Sequence, residues 1–154
     1  MRHNRPRSEE LDTATRLRVA VGRLSRRLRS TPAARAAGLT PTKSSILLAV
    51  VRGGPVRLSE LGESEGLNPT MLSRVVGGLV EADLLERTSD AGDRRQAWVS
   101  TTATGRRLAE RVRRERTAAV NAALRELPAE ERELLEASLP ALEALAEQLK
   151  DVRR

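Results

Sequence analysis

Apolar residues recur along this chain with two periods, and the switch between them marks out its elements. From residue 9 to about 29, Leu11, Ala14, Leu17, Val21, Leu24 and Leu28 fall three or four apart and leave the arginines on the other face, the pattern of an amphipathic helix. A short helical piece follows at 32–37 and breaks at Gly38. Thr40 can then cap, and Pro41 can open, a helix that stops at Gly53-Gly54. A very short strand is expected at 56–58, then a short helix capped by Ser59 and ended by Gly66. Asn68 and Pro69 suit the cap and first turn of the next helix, whose apolar face is Leu72, Val75, Val76, Leu79 and Val80, through about residue 82.

The period then drops to two. Runs at 84–88 and 96–101 flank the turn formers Asp90, Gly92 and Asp93, which predicts a hairpin with a long turn. Thr102 can cap a long helix to about residue 127. Pro128 opens a last one to about 149, with Leu134, Leu135, Leu139, Leu142, Leu145 and Leu149 on one side and Pro140 placed to kink it. No internal repeat and no low-complexity linker interrupts the series.

Composition supports a mainly α fold. The chain of 154 residues has no Phe, no Tyr and one Trp, so its core is made of Leu, Val and Ala. Cysteine is absent, which excludes disulfides, thiolate metal sites and thiol redox sensing by this chain. No run approaches the roughly 18 apolar residues of a membrane helix, and the first ten residues are basic without the apolar stretch of a secretion signal, so a soluble cytoplasmic protein with no membrane partner is expected. The single histidine, His3, lies in the tail, and no metal-spaced cluster or phosphate-cradling glycine loop is present. No enzymatic function, cofactor or metal is therefore expected.

Charge adds direction. The net +7 divides into +10 over residues 1–116 and −3 over residues 117–154. A basic field of this kind suits a polyanionic partner, and its place in the first three quarters of the chain points to where that partner lies.

A short helix, a tight turn through Gly66-Leu67, a helix with a polar start and then a hairpin is the order of a helix-turn-helix followed by a wing. A recognition helix buries one face while its first turns enter the major groove. Here Asn68, Pro69, Thr70, Met71, Ser73 and Arg74 come first and the dense apolar residues follow. Thr70 and Ser73 suit base edges or phosphate, Met71 a thymine methyl, and Arg74 guanine or the backbone.

Three segments carry a resemblance: "LTPTKSSILLAV", "LSELGESEGLNPTMLSRVVGGLVEADLLER" and "SDAGDRRQAWVSTTATGRRL". They resemble the MarR family of bacterial transcription regulators over about residues 11–149, most specifically in Asp93-Arg94-Arg95 followed by a strand and the Thr102 to Gly105 helix start. The resemblance implies a homodimeric winged-helix repressor of a pseudo-palindromic operator, often tuned by a small ligand. It also implies a wing role for Asp93, Arg94 and Arg95, with Asp93 orienting an arginine that enters the minor groove. Lys43 stands where relatives commonly carry Gln, Asp83 where a glycine usually ends the recognition helix, and Thr101 where leucine is usual. Gly77-Gly78 within the recognition helix costs about 1 kcal/mol per residue against alanine.

The expected organisation is a disordered basic tail at 1–8, a winged helix-turn-helix with a two- to three-stranded wing sheet at 39–101, and N- and C-terminal dimerisation helices at 9–38 and 102–154. Leu11, Leu17, Leu135, Leu139, Leu142, Leu145 and Leu149 are the expected dimer contacts. The partners are double-stranded DNA, a second copy of the chain and a small-molecule effector whose site the sequence leaves unknown, although Arg16, Arg18 or Arg107 could meet an anion near the hinge. Two other readings stay open at this stage, an architectural DNA binder of weak specificity and a winged helix used for protein contact.

Overall fold

The computed structural model describes residues 5–89 and 97–151, with side chains over 12–89 and 97–149. Among the described residues seven helices and three strands run in the order α1 (Arg5–Leu28), α2 (Pro32–Ala36), α3 (Pro41–Gly53), β1 (Val56–Arg57), α4 (Leu58–Glu65), α5 (Pro69–Glu81), β2 (Leu85–Ser89), β3 (Ala97–Thr101), α6 (Ala103–Arg125) and α7 (Ala129–Asp151). The architecture is mainly helical with a small sheet. The chain divides into two compact units, Met1–Arg116 and Thr117–Arg154, at the same position where the net charge changes sign.

The first unit contains the core. Ile46, Leu47 and Val50 of α3, Leu61 of α4, and Leu72, Val75, Val76 and Leu79 of α5 meet Leu84, Leu85, Val99 and Ala109 in one buried cluster. Burying a side chain of this size is worth about 1.5–3 kcal/mol, so the cluster holds the helix-turn-helix against the sheet. Ala33 and Ala34 of α2 pack with Val112 of α6 in a smaller one. The α2 helix, only five residues long, is secured at its start: Thr31 Oγ1 accepts from the Ala34 N–H, and Glu115 Oε2 accepts from the Ala33 N–H at 2.8 Å.

The sheet has three antiparallel strands in the order β1-β3-β2. Val99 in the middle strand lies between Val56 and Arg87 in the ladder, and its neighbour Trp98 lies between Arg57 and Thr88. Val99 is fully buried. The sheet therefore has a core face and an outer face, as its period of two requires.

Several local expectations shift. The first helix starts at Arg5 and not at residue 9, because Pro6 is tolerated in a first turn, where its missing N–H has no helical partner to lose. Ser59 does not cap α4. The cap position is Arg57, which makes no side-chain capping bond, since the two-residue β1 turns straight into the helix. Leu84 is not part of the strand: its N–H bonds back to Leu79 O and the Asp83 N–H to Val80 O, the paired bonds that close a helix around a left-handed residue. That residue is Asp83, at φ 56°. The α6 helix ends at Arg125 because Glu126 and Leu127 donate to carbonyls three residues back, tightening the last turn. Pro128 then accepts the first bond of α7, from Arg132, and α7 continues through Pro140.

The second unit has a different character. Leu134, Leu135, Leu139, Leu142, Leu145 and Leu149 of α7 are all exposed, from 37% to 68%. No residue from 117 to 149 is buried within the chain.

Candidate nucleic-acid interface

The start of α5 is built for outward display. Asn68 Oδ1 accepts the Met71 N–H at 2.8 Å, and Pro69 occupies the first turn, so the helix begins with its cap satisfied and its φ preset. Asn68, Pro69, Thr70, Met71, Ser73 and Arg74 are exposed, whereas Leu72, Val75, Val76 and Leu79 are buried. The helical period therefore puts all six predicted recognition residues in solvent while the alternate face anchors the helix. Met71, at 46% exposure, is apolar surface that the fold leaves uncovered.

The turn into α5 uses Gly66, at φ 66°, where a left-handed residue ends α4. Its neighbour Leu67 donates to Gly62 O, and a Cβ at residue 62 would press on Leu72 Cδ2 and Leu67 O. This close approach sets the spacing of α4 and α5.

At the far end of α5, two side-chain bonds to Asp83 fasten the helix to α6. Thr102 Oγ1 donates to Asp83 O at 2.7 Å and also accepts the Gly105 N–H at 2.9 Å. Thr104 Oγ1 donates to Asp83 Oδ2 at 3.2 Å. The aspartate in the left-handed position that ends α5 is thus held by the helix that follows the wing. Sequence periodicity alone does not reveal this link, although the Thr102 cap was legible.

The wing strands are in place, and the tip residues Asp93, Arg94 and Arg95 lie outside the described residues. At the wing's base the Arg57 guanidinium stands over the Trp98 ring, 5.3 Å from its centroid, a cation–π distance. Between the start of α5, α4 and the wing strands is a cleft of about 410 Å³ bordered by Arg57, Ser59, Glu63, Pro69, Arg87 and Ala97. Sequence reasoning missed both Arg57 and Arg87. The available signal was the placing of each arginine next to or within a strand that borders the helix-turn-helix.

A second cleft, of about 560 Å³, lies among α1, α3, the end of α4 and α6; Arg29, Arg52, Glu65 and Arg116 are among its lining. Glu65 Oε2 accepts the Ser45 hydroxyl at 2.8 Å. Arg116 Nε is buried without a partner among the described residues, and desolvation lowers the pKa of its guanidinium from the usual arginine value. The three arginines proposed from sequence for an anion do not line this cleft. Arg16 lies 3.9 Å from Asp12 on an exposed helix face, Arg107 donates to Thr104, and Arg18 is exposed. Helical phase is the reason: Arg116 is nine residues, two and a half turns, beyond Arg107 and so faces another way.

Among the described residues no group of acidic, histidine or cysteine side chains could hold a metal ion, and no helix is long and apolar enough to cross a membrane. A helix-turn-helix with an exposed polar start, followed by a three-stranded wing sheet, defines the winged helix-turn-helix class. Residues 37–96 match the sequence profile of the MarR family. Over that segment, which takes in the helix-turn-helix and the first strand of the wing, the chain is similar to the MarR family.

Among solved structures, a Pseudomonas aeruginosa protein assigned as a transcriptional regulator is 29% identical, with a TM-score of 0.76 over 91% of this chain and 96% of that one. AbsC, a MarR family transcriptional regulator from Streptomyces coelicolor, is 24% identical, with a TM-score of 0.60 over 96% and 99%. NadR, solved in complex with 4-hydroxyphenylacetate, is 22% identical, with a TM-score of 0.61 over 92% and 94%. The last two likenesses concern the fold. No curated protein matches the sequence.

Proposed function

We propose that the chain is a homodimeric, cytoplasmic repressor that binds a pseudo-palindromic operator through α5 and the wing. The observation that carries this reading is the exposed row Asn68 to Arg74 on a helix whose opposite face is buried, within the unit of net charge +10. Thr70, Ser73 and Arg74 read base edges or phosphate and Met71 meets a thymine methyl. Asp93 orients Arg94 or Arg95 so that one guanidinium enters the minor groove, whose negative potential is greatest where A·T tracts narrow it.

Dimerisation follows from surface that the single chain leaves uncovered. The leucine stripe of α7, from Leu135, Leu139 and Leu142 to Leu145 and Leu149, has no buried position within its unit. On α1, Leu17 is half-buried and Val21 and Leu24 are exposed, and Leu11 completes the stripe, although its side chain lies outside the described ones. A second copy covers these faces and sets two recognition helices about 34 Å apart, one helical turn of DNA.

The effector site is assigned to the cleft bordered by Arg29, Arg52 and Arg116. A half-buried guanidinium whose Nε–H is buried and unpaired favours an anion. With no aromatic residue in its lining, the cleft suits an anionic ligand held by charge and aliphatic contact. NadR, with its bound 4-hydroxyphenylacetate, is a precedent within the same fold.

Selection of bound fragments from genomic DNA tests the reading, followed by competition with unrelated duplex at physiological salt. A recovered pseudo-palindrome bound by a dimer supports it. Equal affinity for any duplex would indicate an architectural role, and no duplex affinity a protein-contact role. Screening organic acids for operator release, with Arg116→Gln as the control, tests the effector site.

A further inference from the structure

We infer that Arg57 and Arg87 clasp the phosphate strand that runs between the recognition helix and the wing, with Trp98 positioning Arg57. The inference rests on the DNA-binding reading above and adds residues that the recognition helix and the wing tip do not supply. If α5 enters a major groove while the wing reaches the neighbouring minor groove, the sugar-phosphate backbone dividing those grooves passes through the space between them. That space is the cleft of about 410 Å³ bordered by Pro69 at the start of α5, Ser59 and Glu63 on α4, and Arg87 and Ala97 on the wing strands, with Arg57 at its corner.

Arg57 stands where β1 turns into α4, and Arg87 lies on the adjacent wing in β2. Both are exposed, and neither forms an ion pair given by the structure among the described residues. In the ladder Arg57 is paired directly with Trp98 and Arg87 with Val99, and both arginines border the one cleft. A long exposed side chain normally loses conformational entropy when it fixes a phosphate. The Trp98 ring, 5.3 Å beneath the Arg57 guanidinium, restricts that side chain before DNA arrives. It leaves the N–H edge of the guanidinium free to donate, since stacking uses only its face. Trp98 is the sole aromatic residue of the chain, and its place in the middle strand next to Arg57 gives it this function. Glu63 on the rim opposes the phosphate and limits non-specific affinity.

The test measures operator and unrelated-duplex affinity against salt for the full-length dimer. Each lost phosphate contact lowers the log-log slope by about 0.9, hence about 1.8 for a dimer with one contact per subunit. Arg57→Gln and Arg87→Gln should each do so, weakening both duplexes equally, with melting temperature unchanged. Arg57→Lys should keep the slope and lose part of the affinity, because lysine retains the charge without the planar stack. Trp98→Leu should lower affinity about two- to fivefold with the slope intact, and Trp98→Phe should restore part of it. Glu63→Gln should tighten binding to both duplexes.

A wild-type slope in either Arg→Gln variant, with operator binding retained, overturns the clasp and leaves the regulator reading standing. Loss confined to the operator also overturns it, because that is base readout. Equal affinity of Trp98→Leu and wild type overturns the positioning role. A wild-type protein that binds no duplex overturns both readings.

Discussion

Gly105 faces the carbonyl of Leu84 so closely that a Cβ at residue 105 would overlap its oxygen and crowd its carbon. The same carbonyl accepts the Thr102 N–H at 3.3 Å. The contact joins the end of α5, the last wing strand and the start of α6 at one point, and backbone cannot move aside as a flexible side chain can. Gly105→Ala should destabilise the protein by about 1–3 kcal/mol, the range for overpacking. Thermal denaturation checks this, and an unchanged midpoint would mean that α6 is free to shift.

Asp83 occupies a left-handed position where glycine is the least strained residue. Its carboxylate also accepts from Thr104 and lies beside the start of α6, where negative charge is favourable. Relief of about 0.5–1 kcal/mol from Asp83→Gly is therefore largely offset. The expected change is a gain of no more than about 0.5 kcal/mol, whereas Asp83→Ala, which keeps the strain and loses the contacts, should cost about 1 kcal/mol. Urea titrations of both variants compare the two terms, and a full kcal/mol gain in Asp83→Gly would show that the carboxylate contributes nothing.

The two glycines inside α5 differ. A Cβ at Gly77 meets nothing within 4 Å, whereas one at Gly78 would press on the Lys43 side chain, 3.0 Å from Nζ. Gly77→Ala should stabilise by about 0.5–1 kcal/mol. Gly78→Ala should gain less, because the Lys43 ammonium must move. Equal gains in calorimetry would show that Lys43 yields without cost.

Glu115 reaches across 82 residues to the Ala33 N–H, one of the donors that a five-residue helix cannot satisfy itself. Glu115→Ala should cost about 1.5–3 kcal/mol, as a charge-assisted bond is lost and a partly buried N–H is left unpaired. Glu115→Gln keeps an acceptor and should cost less. Amide exchange at Ala33 and Ala34 reads the effect directly, and unchanged protection in Glu115→Ala would remove this role.

Local chemistry was enough to order the elements and choose the displayed face of α5. Thr40, Asn68 and Thr102 cap or precede helices because a short side-chain oxygen reaches an N–H three residues on, an interaction confined to adjacent turns. The six exposed residues from Asn68 to Arg74 follow from helical period alone, since burying Leu72, Val75, Val76 and Leu79 leaves the others in solvent. The charge division at residue 116 was equally visible.

What only the tertiary structure decided are relations between residues far apart in the chain. The Asp83–Thr104 bond, the Gly105–Leu84 contact, the Glu115 tether on α2, and the arginines around each cleft depend on how helices and strands pack. Hydrophobic period says that a face is buried but not against which partner. Arg116 shows the difference most plainly: along the sequence it is one of several arginines in "RVRRER", and only the packing around it buries its Nε and makes it unlike the rest.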